Sequence, residues 1–138
     1  MVRSDHKAFL GYKIPIVNVT DHIYITKEQS GTLFTLSAPQ GNNMFLPTPA
    51  AGLNYSFVIT ITPIGGSNSI ISTSNGVDAV GLMFGNGHSA GGNATETAVG
   101  DLELAQLGPI GSHMRVECDG TKWYIFISAP LAANIVIQ

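Results

Sequence analysis

Gly108-Pro109-Ile110-Gly111-Ser112-His113-Met114-Arg115-Val116-Glu117-Cys118-Asp119-Gly120-Thr121-Lys122-Trp123-Tyr124-Ile125-Phe126-Ile127-Ser128 decides the fold class. Before Asp119-Gly120, Met114, Val116 and Cys118 alternate with His113, Arg115 and Glu117. After it, Trp123, Ile125 and Ile127 alternate with Tyr124, Phe126 and Ser128. A period of two belongs to strands, because successive side chains point to opposite faces. Asp-Gly favours a tight primed turn, since glycine, and aspartate to a lesser degree, tolerates positive φ. The stretch reads as a β-hairpin. Trp123 is in phase with the apolar set and is expected in the core, as is Cys118, a small hydrophobe in phase with Met114 and Val116.

Outward from the hairpin the same period recurs. Asn54 to Thr62 is the clearest further strand, with Tyr55, Phe57, Ile59 and Ile61 on one face. Ile23 and Ile25 alternate with His22, Tyr24 and Thr26, and Leu33 to Leu36 and Met44 to Leu46 are short strands. Ser69 to Ser74 reads as a strand joined through Asn75-Gly76 to Val77–Phe84 as a hairpin. Thr95–Val99, Asp101–Leu107 and Ile135–Ile137 follow. About nine to eleven strands are expected and no helix, because no window of about 11 residues holds helical spacing. The expected fold is all-β: an antiparallel β-sandwich, jelly-roll-like, with an extended N-terminal arm. Residues 1–20 form the arm or a first edge strand, and residues 21–138 a single β-sandwich domain. Pro15 argues against a helix in the arm, and both readings stand: a segment lying across a neighbour, or a strand paired within the domain.

Composition narrows the function. Charged residues make up 11% of the 138, against about 25% in a typical soluble domain. A protein living in an assembly replaces surface charge with Thr, Ser, Asn and apolar groups, so the deficit points to an oligomer or to docking on a larger surface. Net charge is −3 with six basic residues, which lacks a nucleic-acid footprint. Arg3, Lys7, Lys13 and Lys27 hold most of that positive charge, so the N-terminal segment is locally basic. No membrane partner is expected, because the apolar stretches are too short to span a bilayer. Residues 1–20 lack the apolar core of a signal peptide. A single cysteine excludes an intramolecular disulfide.

No constellation carries catalysis. The loop Gly85 to Asn93 is glycine-rich but lacks the Gly-Lys-Ser/Thr ending and the following helix of a phosphate cradle. His6, His22, His88 and His113 are too scattered for a metal site. Asp101 and Glu103 share a strand face, as a carboxylate pair for glycoside cleavage would, but read as a solvated face opposite Leu102 and Leu104. No serine or cysteine sits in a nucleophile elbow. The chain is expected to be no enzyme and to need no cofactor or metal. Tyr124 and Phe126 point away from the Trp123 face, which makes that strand apolar on both sides, as expected where another subunit covers it. With His113 and Arg115 they are the candidate oligomer interface.

Three stretches carry a family resemblance. Ile25-Thr26-Lys27-Glu28-Gln29-Ser30-Gly31-Thr32-Leu33-Phe34-Thr35-Leu36 is similar to the opening "T-x-x-x-S-G-x-x-F/x-L" of small phage head proteins. Phe45-Leu46-Pro47-Thr48-Pro49-Ala50-Ala51-Gly52-Leu53-Asn54-Tyr55-Ser56-Phe57 resembles their "L-P-x-P-x-x-G-x-x-Y/F-x-F" segment. Gly100-Asp101-Leu102-Glu103-Leu104 with Val116 to Tyr124 resembles their "G-D-x-x-x-L … V-x-D-G-x-x-W-Y" close. The family is the tailed-bacteriophage capsid decoration, or cement, proteins. The resemblance implies a β-sandwich, usually a homotrimer, made in the host cytoplasm and seated on the virion's capsid surface, where it clamps neighbouring major capsid proteins. The arm, with Arg3, Lys7, Phe9, Tyr12 and Lys13, supplies the candidate capsid contacts. Related domains in tail and fibre proteins imply the alternative, a β domain binding a host surface glycan.

Overall fold

A computed structural model describes residues 13–64, 67, 69–73, 78–85, 93–99, 101–104, 110–129 and 135–137. Twelve strands lie within them: β1 Ile16–Val19, β2 Ile23–Tyr24, β3 Leu33–Leu36, β4 Asn42–Phe45, β5 Asn54–Ile59, β6 Ser69–Ser72, β7 Asp78–Gly85, β8 Asn93–Val99, β9 Asp101–Leu104, β10 His113–Cys118, β11 Trp123–Ala129 and β12 Ile135–Ile137. The helical content among the described residues is one 3-10 turn, Lys27–Gln29, whose start is tied by the Thr26 N–H donating to Gln29 Oε1 at 2.8 Å.

The strands form a seven-stranded sheet, ordered β1-β3-β5-β10-β11-β7-β8, and a five-stranded sheet, ordered β12-β9-β6-β4-β2. Both are mixed, and the expectation of antiparallel sheets is corrected. β1/β3, β3/β5, β2/β4, β4/β6 and β7/β11 are parallel. The cause is the order in which the chain visits the sheets. From β1 to β6 it alternates between them, so each return to a sheet lays the next strand beside the last in the same direction. Residues 20–32 separate β1 from β3, long enough for the crossover that parallel pairing requires. Side-chain alternation is the same for either direction and carries no information about it.

The hairpin expected across Asn75-Gly76 is also corrected. β6 pairs with β4 and β9 in one sheet, while β7 pairs with β11 and β8 in the other. The turn itself lies outside the described residues. Ile61 is a smaller correction: β5 ends at Ile59, and Ile61 is 43% exposed. There the Thr60 and Ile61 N–H groups both donate to Leu36 O, at 2.9 and 3.2 Å, which ends the regular ladder.

One hydrophobic cluster joins the two sheets. Phe34, Leu36, Tyr55, Phe57, Ile59, Met114, Val116, Cys118, Trp123, Ile125 and Ile127 come from the seven-stranded sheet, and Met44 and Ile71 from the other. Trp123 is fully buried, and its ring lies 6.0 Å from that of Tyr55. Tyr55 continues to Phe34 at 6.3 Å, and Phe34 stacks on Phe57 at 5.3 Å. Burying four aromatics at the middle of the larger sheet supplies a large share of the apolar driving force.

Candidate interaction surface

The hairpin β10–β11 positions the surface. Its register pairs Cys118 with Trp123 and His113 with Ser128, and the Asp119 N–H donates to Lys122 O at 3.3 Å, so the turn is tight but centred on Gly120-Thr121, one residue beyond the Asp119-Gly120 expected. Asp119 organises it. Its Oδ1 accepts the N–H groups of Thr121 and Lys122, both at 2.8 Å, and the Thr121 hydroxyl at 2.9 Å. Its Oδ2 accepts the Tyr124 hydroxyl at 3.0 Å. These bonds, led by the Lys122 and Thr121 N–H groups, hold the carboxyl well below its usual range and raise the Tyr124 phenol. Gly120 has φ +111°, a conformation L side chains rarely adopt, so the turn favours glycine there, while a Cβ would meet the Ala51 backbone at 3.4 Å, an ordinary contact.

With the buried phase of β10 and β11 turned to the core, the other phase forms an outer face. The registers lay it out in rows. Arg115 stands between Ser56 and Phe126, Glu117 between Asn54 and Tyr124, and His113 between Val58 and Ser128. The rows continue across β3 and β1: Ser56 to Leu33 to Ile16, and Val58 to Thr35 to Asn18. Tyr124 and Phe126 are each 38% exposed. Arg115 Nη2 and Glu117 Oε1 form an ion pair at 2.7 Å along β10. Both ends are exposed, so the pair adds little stability, but it holds the guanidinium over the sheet. A shallow groove runs beside it, lined by Ile14, Leu33, Ser56, Val58, His113 and Arg115. A second groove follows Phe126 and Ser128.

The structure therefore brings His113, Arg115, Tyr124 and Phe126 together on one exposed face. Lys13 is exposed just ahead of β1, with β3 and β5 between its strand and β10. Arg3, Lys7, Phe9 and Tyr12 lie outside the described residues, as do His6, His88 and the glycine-rich loop between Gly85 and Asn93. Asp101 and Glu103, on β9, pair with Ser72 and Ile70 of β6. His22 is exposed on the opposite sheet's side, and its Nδ1 accepts the Asn43 N–H at 2.9 Å.

One feature escaped the sequence reading. Tyr24, 76% exposed, stacks on Phe45 with centroids 4.6 Å apart and planes 17° from parallel. The two lie 21 residues apart and meet only because β2 and β4 pair in parallel. The alternation of Tyr24 with Ile23 and Ile25 pointed it outward; nothing in the sequence named its partner. No family model, curated protein or solved structure matches the chain.

Proposed function

We propose that this protein is a capsid decoration protein: a β-sandwich, assembled as a homotrimer, that seats on the outside of a tailed phage's major capsid lattice and stabilises the head. The observation that carries the reading is β11, with Trp123, Ile125 and Ile127 buried and Tyr124 and Phe126 exposed on its other side. An apolar outer phase at the middle of a sheet, in a chain with 11% charged residues, suits a face that another subunit covers. In this reading Tyr124, Phe126, His113 and Arg115 pack subunit on subunit. Arg3, Lys7, Phe9, Tyr12 and Lys13 reach acidic capsid surface.

Cementing needs no reaction. Many copies each add contact area where capsomers would part, and binding that favours the expanded lattice stabilises it by mass action. The test is light scattering on the purified protein, followed by co-sedimentation with expanded phage capsids. A mass of three chains and a saturable capsid-bound fraction are expected. A monomer that stays in the supernatant overturns the reading.

The stacked Tyr24–Phe45 pair favours one alternative, a tail- or fibre-associated domain that binds a host surface glycan, because an open aromatic face suits the C–H face of a sugar ring. Glycan-array binding that is lost in Tyr24→Ala, with no capsid binding, would select it.

A further inference from the structure

His22, Tyr24 and Thr26 share one phase around β2 and are all exposed, while Ile25 is buried and Ile23 half-buried. The extended course holds through Thr26, whose φ is −104° and ψ 162°, and the Ile25 N–H donates to Phe45 O at 2.9 Å. Tyr24 stands in the middle with Phe45 stacked on one face of its ring, centroids 4.6 Å apart. The 76% exposure of Tyr24 therefore belongs to its other face and its rim.

Polar groups flank the ring at either end, starting about 7 Å away along an extended chain. His22 lies beside β4. Its Nδ1 accepts the Asn43 N–H at 2.9 Å, so the neutral ring carries its proton on Nε2 and offers a donor there. At the other end the exposed Glu28 carboxylate accepts from its own N–H and from the Thr26 hydroxyl, which hold it below the usual carboxylate range. The Thr26 backbone is fixed in turn: its N–H donates to Gln29 Oε1 at 2.8 Å, and its carbonyl accepts the Tyr55 hydroxyl at 3.0 Å. Platform and rim are set before any ligand arrives.

Charge narrows what can sit there. β2, β4, β6, β9 and β12 contain no lysine or arginine and two acids, Asp101 and Glu103. Asp21 precedes β2 and Glu28 follows it, against one cation, Lys27. An anionic ligand meets a repulsive field. A purely apolar one desolvates the His22 and Glu28 groups without giving them partners. A neutral sugar meets both conditions. Its ring C–H groups carry partial positive charge toward the electron-rich aromatic face, and its hydroxyls both accept and donate. We infer that Tyr24 and Phe45, flanked by His22 and Glu28, form a binding site for the neutral pyranose units of an oligosaccharide. The inference deepens the glycan reading of this pair and rests on it. One such site is weak alone and gains force where many copies are displayed together.

Saturation-transfer NMR on the full chain tests it, with lactose and chitotriose as neutral probes and sialyllactose and oligogalacturonate as anionic ones. Transfer to the ring C–H protons of the neutral sugars is expected, unchanged by added salt, with far less to the anionic pair. Tyr24→Ala should abolish it and Tyr24→Phe keep it. His22→Ala should weaken binding about fivefold, the worth of one hydrogen bond. Glu28→Lys should let sialyllactose bind. Trp123 is buried in the other sheet, so unchanged Trp123 fluorescence reports that each variant is folded. Equal transfer to lactose and sialyllactose in the unsubstituted chain overturns the neutral assignment and leaves the glycan reading standing. Transfer that survives Tyr24→Ala overturns the site. No transfer to any probe overturns this inference and the glycan reading together, and capsid binding that falls in Tyr24→Ala would then name the capsid as the occupant.

Discussion

At Asp119 one carboxylate closes the hairpin turn by accepting from two backbone N–H groups and two hydroxyls. Its folded-state pKa is depressed, so its contribution is complete above the unfolded value near about 3.9 and is lost as pH falls below it. Asp119→Asn keeps an acceptor that cannot titrate, and its urea midpoint should fall less steeply than wild type from about pH 4.5 to 2.5. Equal slopes would place the acid-sensitive group elsewhere. Asn42 makes the opposite case. It is 1% exposed, and neither its Oδ1 nor its Nδ2 has a hydrogen-bond partner among the described residues. Unpaired buried polar atoms cost about 1–3 kcal/mol each, and leucine has nearly the same shape. Asn42→Leu should raise stability by about 1–2 kcal/mol in urea melts; a loss of that size would reveal a buried water bonding the amide.

Within elements, alternation was legible and direction was not. Tyr55, Phe57 and Ile59, and Trp123, Ile125 and Ile127, are buried as their spacing predicts, because the pleat alone sets which side a residue faces. The same residues gave no sign that β3 and β5 run parallel, since direction depends on what the chain does between strands. Tyr55 also shows an element at work beyond its pattern. Its hydroxyl donates to Thr26 O at 3.0 Å, tying β5 to the segment after β2. Burial, with the Glu28 carboxylate second, pushes its phenol up to about 12. A raised phenol keeps its full contribution below the unfolded value near about 10 and loses it as pH climbs from there. Wild type should therefore lose stability between about pH 10 and 12, and Tyr55→Phe should flatten that decline. At neutral pH the same substitution should cost about 1 kcal/mol for the lost hydrogen bond.

At the scale of the whole molecule, a chain with 11% charged residues sets Tyr124 and Phe126 on the outer face of its larger sheet. Phe126→Lys places a cation in the middle of the outer face without disturbing the core. Its thermal stability as a monomer should stay within about 0.5 kcal/mol of wild type, while under the proposed trimer its mass by light scattering should fall from three chains to one. A mass unchanged by this substitution would move the subunit contact off this face. His113, Arg115, Tyr124 and Phe126 were legible as a cluster because they belong to two strands joined by a short turn, where adjacency in sequence becomes adjacency in space. Leu33, Val58 and Ile16 join that face from distant parts of the chain, and no local pattern could have added them.

Spacing along the chain thus determined that this protein is built of strands, which phase of β5, β10 and β11 is buried, and that Asp119 and Gly120 turn the last hairpin. Those are consequences of the pleat and of backbone sterics, which act over a few residues. Tertiary structure decided the parallel pairings, the separation of β6 from β7 and the meeting of Tyr24 with Phe45. Each depends on which sheet the chain enters next. That choice is made by burying one face of every strand in a shared core, a condition satisfied only by the molecule as a whole.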